Sequence, residues 1–313
     1  MLKGKVLTVT LNPSIDKTIL VEKLKPYELN RVVDSRVDPG GKGINVARVL
    51  NNFGVDVLAT GLIAGDNGIK LLNFMNRAGI SADFFRIDGE TRTNIKVLDI
   101  SNQKTTEINE KGFLVSEKEL DGFRRKYRAL LKHTDIVVLS GSLPPGIPYE
   151  FYEESIQLAK KCGKRVILDA DGEAFRAGVR AAPFAIKPNL RELEMILGKK
   201  VNSLNESVNA VKPFLETGIE IVIVSAGPDG AVIANRNEIY KADTWNIEVK
   251  GATGSGDSMV AALAYSIFKN DSLLDIAKMT TAAGTVTASK AGTQICALDE
   301  VLNSLDYVHI HKI

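Results

Sequence analysis

Residues 251–258 read GATGSGDS, and the apolar run MVAALAYSIF follows directly. Glycine is a poor helix former, so Gly251, Gly254 and Gly256 mark a loop. Met259, Ala262, Leu263 and Ile267 recur at helical spacing, which puts the start of a helix within the glycines. Bare backbone N–H groups at such a start make a seat for an anion. Asp257, in the first turn, places a carboxylate beside it. Ordinary N-capping accounts for one Asp or Ser here but not for three glycines as well.

Two other chemistries of glycine-rich loops are excluded by spacing. PGGKG at 39–43 lacks the P-loop pattern, because Arg36 stands where its first glycine belongs and Gly43 where Ser or Thr would follow the lysine. Gly254-Ser255-Gly256 is not a dinucleotide fingerprint, since Met259 occupies the third glycine position and the stretch lies near the end of the chain, not after the first strand.

The elements that must position these loops alternate. VLTVTL (6–11), VDVLATGLI (55–63), DIVVLSG (135–141), RVILDA (165–170), FAIKPN (184–189) and EIVIVSAG (220–227) read as buried strands. Between them INVARVLNNFG (44–54), YEFYEESIQLAKKCG (149–163) and LRELEMILG (190–198) read as helices, and Ser116 with Glu119 predicts a capping box opening a helix that runs to about Lys132. Such alternation predicts an α/β fold with a mostly parallel sheet flanked by helices. Residues 14–38 and 93–112 break it: the first has no helical period, and TNIKVLDISNQKTTEINEKG reads as two strands about a polar turn. We expect one domain, 1–313, with these two stretches forming a small β-sheet lid over the C-terminal edge of the main sheet.

Forty basic and 38 acidic residues nearly cancel and form no long basic block, which argues against nucleic acid as a partner. No stretch is long enough to span a membrane or to form a signal-peptide core, so a cytoplasmic protein is expected. Cys162 and Cys296 lie far apart without metal spacing and read as two buried free thiols. His309 and His311 fall in the terminal VHIHKI, which reads as a loose or edge-strand tail and not as a metal site.

Taken together, GGKGINVARVL (40–50), SGSLPPG (140–146), KPNLRELE (187–194), SAGPDGA (225–231) and ATGSGDSMVAA (252–262) resemble the PfkB-type, ribokinase-like carbohydrate kinases, in that family's order and from Thr10 to about Gly292. LNPSIDKT (11–18), LNRV (29–32), DPGGKGIN (38–45), ETRTNIK (90–96) and TEINE (106–110) resemble the 1-phosphofructokinase branch, and the related tagatose-6-phosphate kinases share several of them. The resemblance implies a ribokinase-like fold, ATP and Mg²⁺ as cofactors, and a homodimer formed through the lid. It makes Asp257 the catalytic base, with the backbone of Thr253, Gly254, Ser255 and Gly256 as the anion hole for the transferring phosphoryl group. Gly251 departs from the family, which often has an acidic residue or Asn there.

The same resemblance assigns Asn189 and Glu192 to Mg²⁺ and the phosphates, and Lys187, Ser225, Gly227 and Gly230 to the nucleotide. Asp16 is implied to bind sugar hydroxyls, with Gly40, Gly41 and Asn45 lining that pocket. Lys42 and Arg92 suit a substrate that already carries a phosphate, and Ser140 is implied to help hold it. The implied reaction is ATP-dependent phosphorylation of the 6-hydroxyl of D-fructose 1-phosphate. Tagatose 6-phosphate is the alternative substrate. A non-catalytic phosphosugar binder on the same fold needs no base, and a nicotinamide dehydrogenase is opposed by the failed fingerprint.

Overall fold

The computed structural model describes residues 5–201, 203–251 and 253–313. Ala252 of the glycine loop lies outside the described residues. In chain order the strands are β1 (Val6–Thr10), β2 (Ser14–Val21), β3 (Asp34–Gly40), β4 (Val57–Ile63), β5 (Ser81–Ala82), β6 (Phe85–Arg86), β7 (Arg92–Asp99), β8 (Lys104–Asn109), β9 (Ile136–Ser140), β10 (Arg165–Asp169), β11 (Ala185–Ile186), β12 (Ile221–Ser225), β13 (Ala231–Ala234), β14 (Ile239–Asp243) and β15 (His309–Lys312). The helices are α1 (Lys42–Asn52), α2 (Gly65–Arg77), α3 (Glu117–Leu130), α4 (Phe151–Lys161), α5 (Gly172–Arg180), α6 (Leu190–Leu197), α7 (Leu204–Ala210), α8 (Lys212–Glu216), α9 (Ser255–Lys269), α10 (Leu273–Ala288) and α11 (Leu298–Leu302).

The large sheet runs β15-β14-β13-β12-β11-β10-β9-β1-β4-β5, with β6 also on β4. It is parallel from β12 through to β5 and antiparallel from β12 to β15. Its central strands are mostly apolar because each buries both faces, as a parallel sheet covered by helices must. Alternation sorts the side chains: Val6, Ile136, Val138 and Ile167 join the core with residues of α1, α9 and α10. Leu7, Val9, Val137, Leu139, Val166 and Leu168 join the opposite core with residues of α3, α4 and α5.

The second sheet, β3-β2-β7-β8, stands apart from the first. β2 is antiparallel to β3 and parallel to β7, and β7 is antiparallel to β8. Both interrupted stretches of the sequence therefore contribute to it, as their patterning predicts. Ser116 and Glu119 form the expected capping box, with Ser116 N–H donating to Glu119 Oε2 at 2.8 Å. The terminal HIHK pairs with β14 as an edge strand.

Two expectations need correction. FAIKPN contributes only the two residues of β11, because the chain turns at Lys187-Pro188 toward the cap of α6. Cys296 is buried, but Cys162 is exposed. It caps the C-terminus of α4 immediately after Lys160 and Lys161, where the chain leaves the helix on its solvent side. Among the described residues no helix is long and apolar enough to cross a membrane.

Candidate active site

The carboxyl ends of the central strands meet the start of two helices. Parallel pairing puts Ser140, ending β9, beside Asp169, ending β10. Lys187 follows β11 and is 4% exposed, so it is no solvent-side lysine. Lys42 opens α1 directly after Gly41, and Asp257 sits in the first turn of α9 after Gly254. Gly254 caps that helix at φ 86°, a left-handed conformation that a Cβ would strain. The backbone there can turn into the helix with its N–H groups open, and the dipole of α9 favours negative charge at this end.

Asp169 is buried at 1% exposure between two ammonium groups. Its Oδ1 lies 3.3 Å from Lys42 Nζ and 3.5 Å from Lys187 Nζ. Lys42 also lies 3.6 Å from Glu192 Oε1. Burial works against the Lys42 charge, but the carboxylates of Asp169, Glu192, Asp257 and Asp171 outweigh it and hold its proton affinity above the usual lysine range. Asp257 is itself buried, and Asn45 Nδ2 donates to its Oδ2 at 2.7 Å. Burial, reinforced by the nearby Asp169 charge, pushes the Asp257 carboxyl up from 3.8 to about 6, while Asn45, Lys42 and Lys187 pull it the other way.

The small sheet supplies the opposite wall. Ser14 and Asp16 on β2, and Arg92, Asn94 and Lys96 on β7, recur at the two-residue period that puts side chains on one face. Ser14 Oγ donates to Asp16 Oδ1 at 2.7 Å, Asn94 Nδ2 donates to the same oxygen at 3.1 Å, and Lys96 Nζ reaches Asp16 Oδ2 at 3.2 Å. Gly40 faces this cluster so closely that a Cβ would lie 2.3 Å from Asp16 Oδ1. The Arg92 guanidinium donates to the carbonyls of Glu110 and Asn12, each at 3.0 Å. Burial lowers its proton affinity against the pull of Asp16, Asp171 and Glu110.

Polar atoms left without partners outline where a ligand would bond. Asn12 Oδ1, Arg92 Nε, Asn94 Oδ1, Ser140 Oγ, Asp169 Oδ2 and Ser255 Oγ are all buried and have no partner among the described residues. Burying such groups unpaired is costly, so their concentration around one cleft marks it as a binding site. Beyond Ser255 and Gly256 lies a cavity of about 520 Å³, walled by the Ser225–Gly230 turn, Trp245, Ile247, Val249, Met259 and the α10 residues Thr281, Gly284 and Thr285.

Asn189 and Glu192 form a reciprocal cap at the start of α6, with Glu192 N–H donating to Asn189 Oδ1 and Asn189 N–H to Glu192 Oε2, both at 2.9 Å. Their N-x-x-E spacing thus has a structural use, and it leaves Glu192 Oε1 outside the cap. Among the described residues no group of three His, Cys, Asp or Glu could cage a metal. Mg²⁺ needs no cage: it keeps several waters and takes one or two oxygen ligands. Glu192 Oε1, with the unpartnered Asp169 Oδ2 available to a metal-bound water, is a donor set of that kind.

The pattern of the pfkB family carbohydrate kinases matches residues 9–300. The chain belongs to that family. Solved structures agree with this pfkB kinase over nearly its whole length. Phosphofructokinase-2 from Escherichia coli in complex with potassium superimposes with a TM-score of 0.91 at 26% identity, covering 97% of this chain and 99% of its own. The same enzyme in complex with substrates and products gives 0.91 at 28% identity over the same shares. A Thermotoga maritima protein described as a possible 1-phosphofructokinase gives 0.91 at 28% identity, covering 99% of each chain. The ribokinase-like α/β fold expected from the motifs is therefore the fold of this kinase, and the family implies ATP as its phosphoryl donor.

Sequence reasoning missed four residues that this pfkB kinase brings into the cleft. Ser14, Asn94 and Lys96 carried a readable signal, since they flank Asp16 and Arg92 at intervals of two along predicted strands. Asp169 carried a weaker one: a lone carboxylate at the carboxyl end of a parallel strand, where such sheets bind ligands. Lys42 and Arg92, paired as cations by the sequence, have different company here. Lys42 faces Asp169 and Glu192, whereas Arg92 belongs to the small sheet beside Asp16.

Proposed function

We propose that this kinase transfers the γ-phosphoryl group of ATP to the 6-hydroxyl of D-fructose 1-phosphate. The observation that carries the reading is the pair of cationic side chains, Arg92 and Lys96, on the same face of the small sheet as the hydroxyl-acceptor candidate Asp16. A neutral sugar has no use for two cations there, whereas a phosphate already on the substrate does. Their similarity to 1-phosphofructokinase motifs, and a superimposable neighbour described as a possible 1-phosphofructokinase, support the same substrate.

In this reading the small sheet, built from 14–38 and 93–112, is a lid on a single kinase domain, and it excludes water that would otherwise consume ATP. The nucleotide base lies in the cavity beside the Ser225–Gly230 turn, whose apolar walls suit a planar ring. Asp16 orients the sugar through its hydroxyls, with Gly40 and Gly41 giving close approach, while Ser140 and Arg92 bond the substrate's own phosphate. Asp257 removes the proton from the 6-hydroxyl as that oxygen bonds to the γ-phosphorus. The bond from phosphorus to the β–γ bridging oxygen breaks, and ADP leaves with that electron pair. Lys42, Lys187 and the N–H groups of Thr253 to Gly256 hold the transferring group and offset its charge. Glu192, with Asn189 fixing the turn, would hold Mg²⁺, which would supply neutralisation of phosphate charge.

A coupled ADP-release assay over a panel of sugars and sugar phosphates tests the proposal. Turnover greatest with fructose 1-phosphate is the expected result. Turnover greatest with tagatose 6-phosphate would move the substrate and keep the chemistry. Activity confined to unphosphorylated sugars would sink the reading.

A further inference from the structure

An amide has two unlike ends, and Asn45 uses both. Its Nδ2 donates to Asp257, and its Oδ1 accepts from Arg48 Nη1 at 3.1 Å, one turn further along α1. A guanidinium only donates, so Arg48 can bond the oxygen end alone. With that end taken, the nitrogen end must face the carboxylate, which when ionised only accepts. Arg48 is held in turn by the carbonyl of Thr293, which its Nη2 meets at 3.2 Å. Thr293 Oγ1 accepts from Arg36 Nη2 at 2.8 Å, and Arg36 lies on β3 of the small sheet, paired with Asp38.

The residue type at position 48 is costly for a helix packed against the core. Burial lowers the proton affinity of Arg48, and neighbouring Arg36 adds to that, with only Asp38 and Asp257 pulling back. A Leu or Met would cover the same surface of α1 without a charge to desolvate. We propose that Arg48 is a positioning residue, which orients the Asn45 amide so that its nitrogen aims the Asp257 carboxylate, and which ties that carboxylate through Thr293 and Arg36 to the small sheet. The inference rests on Asp257 being the base of the proposed reaction.

Five groups act on Asp257: Asp169 on β10 raises its proton affinity, while Asn45, Lys42 and Arg48 on α1 and Lys187 beyond β11 lower it. A released Asn45 amide can turn its oxygen toward Asp257, which then holds its proton to higher pH. Arg48→Met keeps the apolar stem and deletes the donors; Arg48→Lys keeps a charge with a different reach.

For Arg48→Met the expected result is a kcat lower by roughly 10–100-fold, the worth of an aligned hydrogen bond to a base. The KM for ATP should stay within about twofold, the acid limb of the rate profile should move up by about one pH unit, and Arg48→Lys should recover part of the loss. In an Asn45→Ala background, Arg48→Met should cost much less than in wild type, leaving only the direct effect of its charge on Asp257. A purely structural role would lower the melting temperature and leave the limb in place. Wild-type activity with an unmoved limb in Arg48→Met would overturn the inference and spare the kinase reading. If wild type phosphorylates no sugar or sugar phosphate, the kinase reading falls instead. A carbon-13 NMR titration of the Asp257 carboxyl, assigned with Asp257→Asn, then still judges the tie: an upward shift in Arg48→Met, or in Arg48→Lys if Met misfolds, supports it, and an unmoved titration overturns it.

Discussion

A buried carboxylate serves as a base only if its proton affinity lies near the working pH. Burial raises that of the proposed base Asp257 toward it, helped by Asp169 and opposed by Asn45, Lys42 and Lys187. Because the base must be ionised to act, activity should climb as pH rises through about 6, and a rate profile against pH checks this. Asp257→Asn keeps the shape without the proton acceptor, so turnover should drop roughly 10²–10⁴-fold. Its stability should move the other way. Ionising Asp257 is harder in the folded chain than in the unfolded one, so the wild type loses stability as pH rises from about 4 to about 6, and the variant does not. Thermal melts should show Asp257→Asn the more stable protein at pH 7–8, by up to about 3 kcal/mol, and equal to wild type near pH 3. The cations divide similarly. Arg92→Ala and Lys96→Ala each remove a charge-assisted contact of about 1.5–3 kcal/mol, so kcat/KM for fructose 1-phosphate should fall roughly 10–150-fold with the KM for ATP nearly unmoved. Lys42→Ala, which strips a cation from Asp169 and Glu192, should act chiefly on kcat. A raised sugar-phosphate KM with normal kcat in that variant would return Lys42 to the sugar end.

Helix starts and sheet edges do the positioning. α9 can open its N–H groups toward an anion because Gly254 turns the chain at φ 86°. Gly254→Ala should cost about 1–2 kcal/mol of stability, measured by denaturant unfolding, and reduce turnover beyond what that loss explains. Gly40, on β3, has a different reason for lacking a side chain: a Cβ would collide with Asp16 and Ser14. Both glycines were legible as special from their clustering, and so was the helix that follows each. The reason behind each was not, because the left-handed φ at Gly254 is a property of the folded loop, and the collision at Gly40 depends on the register of β3 against β2. The capping box at Ser116 was readable to the residue, since it involves atoms three positions apart. The pair Asn189–Glu192 carried two meanings in sequence, cap and metal neighbour, and in the fold one carboxylate oxygen serves the cap while the other faces Lys42.

At the scale of the molecule, the small sheet and the connection between β2 and β3 expose a run of apolar side chains. Leu29, Val32, Val33, Val37 and Ile108 are all more than 40% exposed, and β8 is exposed along its whole length. An exposed apolar sheet of this kind tends to be covered, so we expect a homodimer with lid packed on lid. Light scattering should give twice the chain mass at micromolar concentration, and Ile108→Glu should shift it toward one; a wild-type monomer throughout would exclude the dimer. The alternating architecture, the two interrupted stretches and the glycine loop with its aspartate were all determined by the sequence alone, because periodicity, turn residues and helix starts are local in the chain. The tertiary structure decided who meets whom. Asp169 and Lys42 are 127 positions apart, and Asn45 and Asp257 are 212 apart. No pattern along the chain encodes such distances. Parallel strands joined through helices bring their carboxyl ends to one edge, and the packing of α1 beside α9 sets which side chains share that edge.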